Sequence, residues 1–215
     1  MSNHIVSLNV GKPRKHVYQG REIETGIHKT PLKDRIFLSL FNLEGDGQAD
    51  LVHHGGIDKA LCVYPYEHYA YWEQEIGQKL AYGAFGENLT TMGLSEAEVC
   101  IGDIFRFGEA IVQVSQPRQP CYKVAARYNI PDFPLRIQQT GFTGFYFRVL
   151  KEGWVSAAGP LHRLEKHSAG ITVTFANQIK YHDKNNIEAI KTILDVPELS
   201  ASWRASLEER IAKLK

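Results

Sequence analysis

Cysteine is scarce in this chain. Cys62, Cys100 and Cys121 are odd in number and far apart, so neither a disulfide framework nor a CxxC zinc or redox pair is indicated. Long apolar runs are missing too: nothing approaches the ~18 residues of a membrane span. The opening MSNHIVSLNVGKPRKH lacks the apolar stretch of a signal peptide. Excess charge of either sign is absent, because 25 Lys and Arg stand against 24 Asp and Glu. A net charge of +1 gives no long-range field of the kind that marks a nucleic-acid or anionic-membrane binder. No GxGxxG fingerprint, Walker loop or internal repeat is visible. These absences leave a soluble cytoplasmic protein in a reducing compartment, in which any anionic ligand must be held locally.

What is present, up to about residue 165, is mainly β. HIVSLNV alternates, with Val6, Leu8 and Val10 on one face and Ser7 and Asn9 on the other, as a half-buried strand does. RIFLSLFNLEGDG is a second run ending in turn residues, and KALCVYP reads as a more buried strand. DIFRFGEAIVQVSQ is a hairpin, with Gly108-Glu109 as a two-residue connection, and GFYFRVLKEGWVS is a further strand, turn and strand. Helix is sparse: PYEHYAYWEQEIG is the clear case, with Tyr69, Trp72 and Ile76 as a stripe and Gly77 ending it. From residue 168 three amphipathic helices follow, with Ser168, Asp183 and Ser200 as expected caps and Trp203, Leu207, Ile211 and Leu214 on one stripe. Three helices in so short a span need a surface to pack on, either the β region or another subunit.

Five stretches carry residues of chemical interest. QPRQPCYK sets Cys121 between Arg118 and Lys123, at the start of a helix expected from Pro120 to about Asn129. Helix-start N–H groups and two cations favour a thiolate; a buried structural cysteine fits the same residues. In GDGQADLVHHGGIDKALCVY, adjacent His53 and His54 point to opposite faces and make a poor metal pair. Gly55 and Gly56 instead let the backbone approach a ligand, with His, Asp58 and Lys59 offering hydrogen bonds, unless the stretch is a solvated turn. In YGAFGENLTTMGL, Gly86, Glu87 and Asn88 interrupt apolar residues, and Asn88 reads an amide edge or completes an Asx-turn. Gly102-Asp103 in IGDIF is a turn. Thr143 in TGFTGFYFRV offers a hydroxyl to a phosphate, without a known phosphate-loop pattern.

Taken in order, NLEGDGQADLVHHGGIDKALCVYPYEHYAYW, YGAFGENLTTMGLSEAEVCIGDIFRFGEAIVQVSQPRQPCYK and TGFTGFYFRVLKEG resemble the MOSC domain, the molybdenum-cofactor sulfurase C-terminal domain. Within it they resemble the stand-alone bacterial YiiM-type branch. The resemblance implies a mainly β (α+β), barrel-like domain over 1–165 and a three-helix extension over 166–215. It also implies a molybdenum cofactor, molybdopterin, with Cys121 as the protein ligand to molybdenum or the sulfur-handling residue. The family's HGG.DKA motif falls on His54, Gly55, Gly56, Asp58 and Lys59, and its GEN and GD motifs on Gly86, Glu87, Asn88, Gly102 and Asp103. Arg118, Lys123 and Thr143 are inferred on chemical grounds to bind the cofactor's phosphate. The activity implied is reduction of N-hydroxylated bases such as 6-N-hydroxylaminopurine, with His54 or Asp58 supplying protons and a separate flavin or iron–sulfur protein supplying electrons. Alternatives are sulfur transfer through a Cys121 persulfide and a non-catalytic cofactor-binding scaffold. No lysine context supports a pyridoxal phosphate Schiff base. No nucleic-acid or membrane partner is expected, and the oligomeric state is open, a homodimer included.

Overall fold

The computed structural model describes residues 3–49, 55–159 and 161–214. In chain order the strands are β1 (His4–Val10), β2 (Arg14–Tyr18), β3 (Arg21–Thr25), β4 (Thr30–Pro31), β5 (Ile36–Leu38), β6 (Leu61–Pro65), β7 (Leu89–Met92), β8 (Ile104–Phe107), β9 (Ala110–Pro117), β10 (Phe145–Lys151), β11 (Gly153–Val155) and β12 (Leu161–Glu165). The helices are α1 (Tyr69–Ile76), α2 (Tyr122–Tyr128), α3 (Phe133–Thr140), α4 (Val173–Tyr181), α5 (Ile187–Leu194) and α6 (Ala201–Leu214). An eight-stranded mixed sheet in the order β12-β8-β9-β10-β6-β7-β1-β4 forms a half-barrel, flanked by two-stranded sheets β11-β5 and β2-β3. Among the described residues no helix is long and apolar enough to cross a membrane.

The β8–β9 hairpin forms where DIFRFGEAIVQVSQ predicts it, with Phe107 opposite Ala110. Gly108 has φ 57, the positive angle that a tight hairpin requires at its first central position. A Cβ there would also lie 2.7 Å from the Trp154 carbonyl oxygen. β6 is buried throughout because it runs inside the sheet, antiparallel to β10 and parallel to β7. Phe105, Phe107, Val112, Val114, Phe145 and Phe147 pack with Leu8, Val63 and Leu89 into the main core. Each such side chain contributes about 1.5–3 kcal/mol by leaving water.

Several local expectations are corrected. The alternation of β1 breaks at a register shift between Ile5 and Ser7, and Ser7 and Asn9 are buried rather than solvated. They are paired inside: Ser7 Oγ donates to Asn9 Oδ1 at 2.8 Å, and Asn9 Nδ2 donates to Thr90 Oγ1 at 3.2 Å. β11 pairs with β5 instead of closing a hairpin with β10. α3 is a helix the residue pattern did not reveal.

The C-terminal helices pack on the barrel. Ile101 joins Ile171, Ala176, Ile190, Ile193, Trp203 and Leu207 in a second apolar cluster, and Ser200 N donates to Ser115 O at 3.0 Å. Ser200 Oγ accepts from Trp203 N as expected. The other two caps shift to Thr172, which accepts from Phe175 N, and Asn186, which accepts from Ala189 N. Each lies directly before its helix, where a side-chain oxygen reaches the orphan N–H groups; Ser168 and Asp183 stand too far upstream.

Candidate functional site

β9 ends at Pro117, and Arg118-Gln119-Pro120 carries the chain to Cys121, which caps α2 with an extended backbone (φ −122, ψ 169). Cys121 is half-buried and lines a cavity of about 590 Å³, counted out to open solvent. Lys29, Lys59, Gly86, Asn88, Arg118 and Lys123 line the same space, with Cys62 and Tyr146.

The electrostatics are lopsided. Lys29, Arg118 and Lys123 retain only 8%, 6% and 8% of their exposure. Lys29 is paired with the buried carboxylate of Asp46. Arg118 donates through Nη2 to the Phe85 carbonyl at 2.7 Å, while its Nη1 is buried with no partner. Among the described residues no carboxylate pairs Arg118 or Lys123. A buried cation left without a counter-charge costs several kcal/mol, so the pocket is built to receive an anion. Burial pushes the Cys62 thiol up to about 11 and holds the Tyr146 phenol well above its usual range. Both therefore stay protonated at neutral pH.

The loop holding Gly86 is fixed from behind. Glu87 is fully buried and accepts from the Tyr69 hydroxyl, Gly83 N, Thr90 Oγ1 and Phe85 N. Gly86 itself has φ 80, and a Cβ there would meet Ile27 Cγ1 at 2.9 Å, so the position needs glycine. Asn88 is a wall tie: its Oδ1 accepts from Cys62 N at 3.0 Å, and its Nδ2 donates to Asp46 Oδ2 at 2.9 Å and Asn9 O at 3.3 Å. With both ends of the amide engaged, it is not a reader of a ligand's amide edge.

Of the residues singled out from sequence, Lys59, Gly86, Asn88, Arg118, Cys121 and Lys123 are thus brought together. Gly55, Gly56, Asp58, Glu87, Asp103 and Thr143 are not among the lining residues, and His54 lies outside the described residues. Gly56, at φ 98, starts the 3₁₀ turn Ile57–Lys59 that delivers Lys59 to the wall. Asp58 points elsewhere, gripped by Arg148 Nη2 at 2.7 Å and by Ala201 N at 3.1 Å. That placement corrects its expected role as a proton donor to the pocket. Asp103 accepts from Cys100 N and His167 N, tying two loops. Thr143 accepts from Asn177 Nδ2 and donates to Gly144 O, so its hydroxyl is engaged in the fold and not offered to a phosphate. Lys29, Asp46, Cys62 and Tyr146 escaped the sequence reading. Asp46, Cys62 and Tyr146 lay in highlighted stretches without being singled out for the cavity, and Lys29 stands in a segment without a motif.

Two family descriptions match the chain: the MOSC domain over residues 50–161 and the YiiM-like, 3-alpha helix domain over residues 171–214. The protein YflK of Bacillus subtilis (strain 168) is 55% identical over 210 residues, covering 98% of this chain and 95% of its own length. The crystal structure of YiiM from Geobacillus stearothermophilus superimposes with a TM-score of 0.83 at 43% identity, covering 99% of this chain and all of that one. A protein of Gibberella moniliformis (strain M3125 / FGSC 7600) named Reductase is 34% identical over 166 residues, 75% of this chain and 29% of its own. Matched in both its barrel and its helical tail, the chain belongs to the MOSC domain family and carries the YiiM-like three-helix domain.

Proposed function

We propose that the chain binds the molybdenum cofactor in the Cys121 cavity and reduces N-hydroxylated bases of the 6-N-hydroxylaminopurine type. The observation that carries this reading is the meeting of one accessible thiol with buried cations in a single cavity, where Arg118 Nη1 has no protein partner. The donor set fits the group. A thiolate is a soft ligand suited to a thiophilic metal that already holds a dithiolene, and unpaired guanidinium and ammonium groups suit its phosphate. Among the described residues no three metal-binding side chains converge, in keeping with Cys121 as a single protein ligand. The bound cofactor supplies two-electron redox chemistry at the metal.

The chain's own contribution is binding, orientation and proton supply. Cys121 Sγ would hold the metal, and Arg118 and Lys123 would take the cofactor's anionic charge. The Glu87 clamp fixes the Gly86 loop in the cavity wall, and burial keeps the Cys62 thiol neutral. With Asp58 held by Arg148, Lys123 and His54 remain as proton donors to the departing hydroxyl. The relative named Reductase supports reduction as the reaction class. Electrons come from a separate flavin or iron–sulfur protein.

The test is anaerobic reduction of 6-N-hydroxylaminopurine by chain purified from a cofactor-competent host, driven by a viologen dye. Turnover should fall at least about 100-fold in Cys121→Ser. Full turnover in that variant, or none in the wild type, sinks the reading. A persulfide on Cys121 without molybdenum would favour sulfur transfer instead.

A further inference from the structure

A second cavity, of about 670 Å³ counted out to open solvent, lies where the barrel meets α4. Its floor is made of buried polar groups: His68, Glu96 and Asn177. Glu96 Oε2 takes a hydrogen bond from His68 Nε2 at 2.7 Å and its Oε1 takes one from Gly144 N at 2.7 Å. Asn177 is 2% exposed. Its Nδ2 is fully engaged with Thr143 Oγ1 and Gly141 O, yet its Oδ1 is buried with no partner. A buried carbonyl oxygen without a donor costs roughly 1–3 kcal/mol, and the cavity it lines is where a donor would come from. The rim residues Thr174, Gln178 and His182 are exposed.

The character of this site is opposite to that of the Cys121 cavity. Each Glu96 oxygen has a second lone pair free, and Asn177 Oδ1 has both. Glu98 stands in the same loop, its carboxylate on Ser95. The facing basic side chains are the imidazoles of His68 and His182, and among the described residues no lysine or arginine lines the cavity. His68 is stacked on Phe142 at 3.8 Å, giving the wall a flat π surface. Acceptor-rich floor, carboxylate and ring together suit a cation that carries several N–H donors. Among the described residues no three ligating side chains converge, which disfavours a bare metal ion.

We infer that this cleft is a binding site for a small N–H-rich organic cation of the primary-amine or guanidinium class. Asn177 Oδ1 and Glu96 accept its protons, and Phe142 lies against its flat part. Occupancy ties the barrel loop at Glu96 to α4, whose Thr174 N already donates to Glu96 O at 2.9 Å.

Isothermal titration of the full chain with agmatine tests this, with N-butylurea as a neutral analogue. Agmatine should bind with a dissociation constant no weaker than about 1 mM, and N-butylurea at least about tenfold more weakly. Gln178→Arg places a like charge on the exposed rim without touching the core, and should weaken agmatine at least about tenfold. Cys121→Ser should leave binding unchanged. The inference is overturned if agmatine fails to bind, if the neutral analogue binds as well, if Gln178→Arg has no effect, or if Cys121→Ser abolishes binding.

Discussion

Cys121 differs from the other two cysteines in access, since Cys62 and Cys100 are buried. Burial also raises both of their thiols, Cys62 to about 11. Native protein should therefore release one equivalent of thionitrobenzoate from Ellman's reagent at neutral pH, and Cys121→Ser should release none. Rapid labelling of Cys62 would contradict the assignment of a single reactive sulfur. A second residue, His28, is lowered to about 4 by burial first, then by Arg14, Arg127 and His16. Its folded form refuses a proton that the unfolded chain accepts near 6.5. The stabilisation is thus complete above pH 6.5 and is lost as pH falls towards 4. Thermal melts over that interval should show a steeper decline for wild type than for His28→Gln, and parallel curves would refute the claim.

At the scale of elements, the pocket wall is held from behind by Glu87. Its carboxylate organises residues 83–90, and the loop in turn offers Phe85 O to Arg118. Glu87→Gln turns an acceptor-only group into one that must also present N–H to the same donors. We expect a loss of about 2–4 kcal/mol in urea unfolding, with reduced cofactor content as a consequence. A change below about 0.5 kcal/mol would mean the loop is held by packing alone. Asp58 plays the matching part on another wall: one carboxylate joins the turn bearing Lys59 to β10 and to the start of α6. Two acidic residues of the family motifs thus act through backbone placement and not through contact with a ligand.

Across the whole molecule, sequence pattern was informative where one physical cause dominates. Glycine at a positive φ marked the β8–β9 hairpin, an unbroken apolar run marked β6, and the Trp203 stripe marked α6. β1 misled because both of its faces are buried and a bulge shifts its register, so polar Ser7 and Asn9 find partners inside. In the site, the motif residues were visible, but their division of labour was not. Lys29 and Tyr146 reach the cavity only because β10 pairs beside β6 and because the segment after β3 folds over it. No local spacing encodes that meeting. Asp58, Asp103 and Thr143 carry chemistry-bearing groups, yet tertiary hydrogen bonds consume them.

The central claim is that the Cys121 cavity holds a molybdenum-bearing anion through one thiolate and buried cations. Metal and pterin analysis of protein purified from a cofactor-competent host tests it most directly, with Cys121→Ser and Arg118→Gln alongside wild type. The account predicts about one molybdenum and one pterin per wild-type chain, loss of metal retention in Cys121→Ser, and loss of both in Arg118→Gln. Wild-type protein with neither molybdenum nor pterin, or variants that retain both in full, would contradict it.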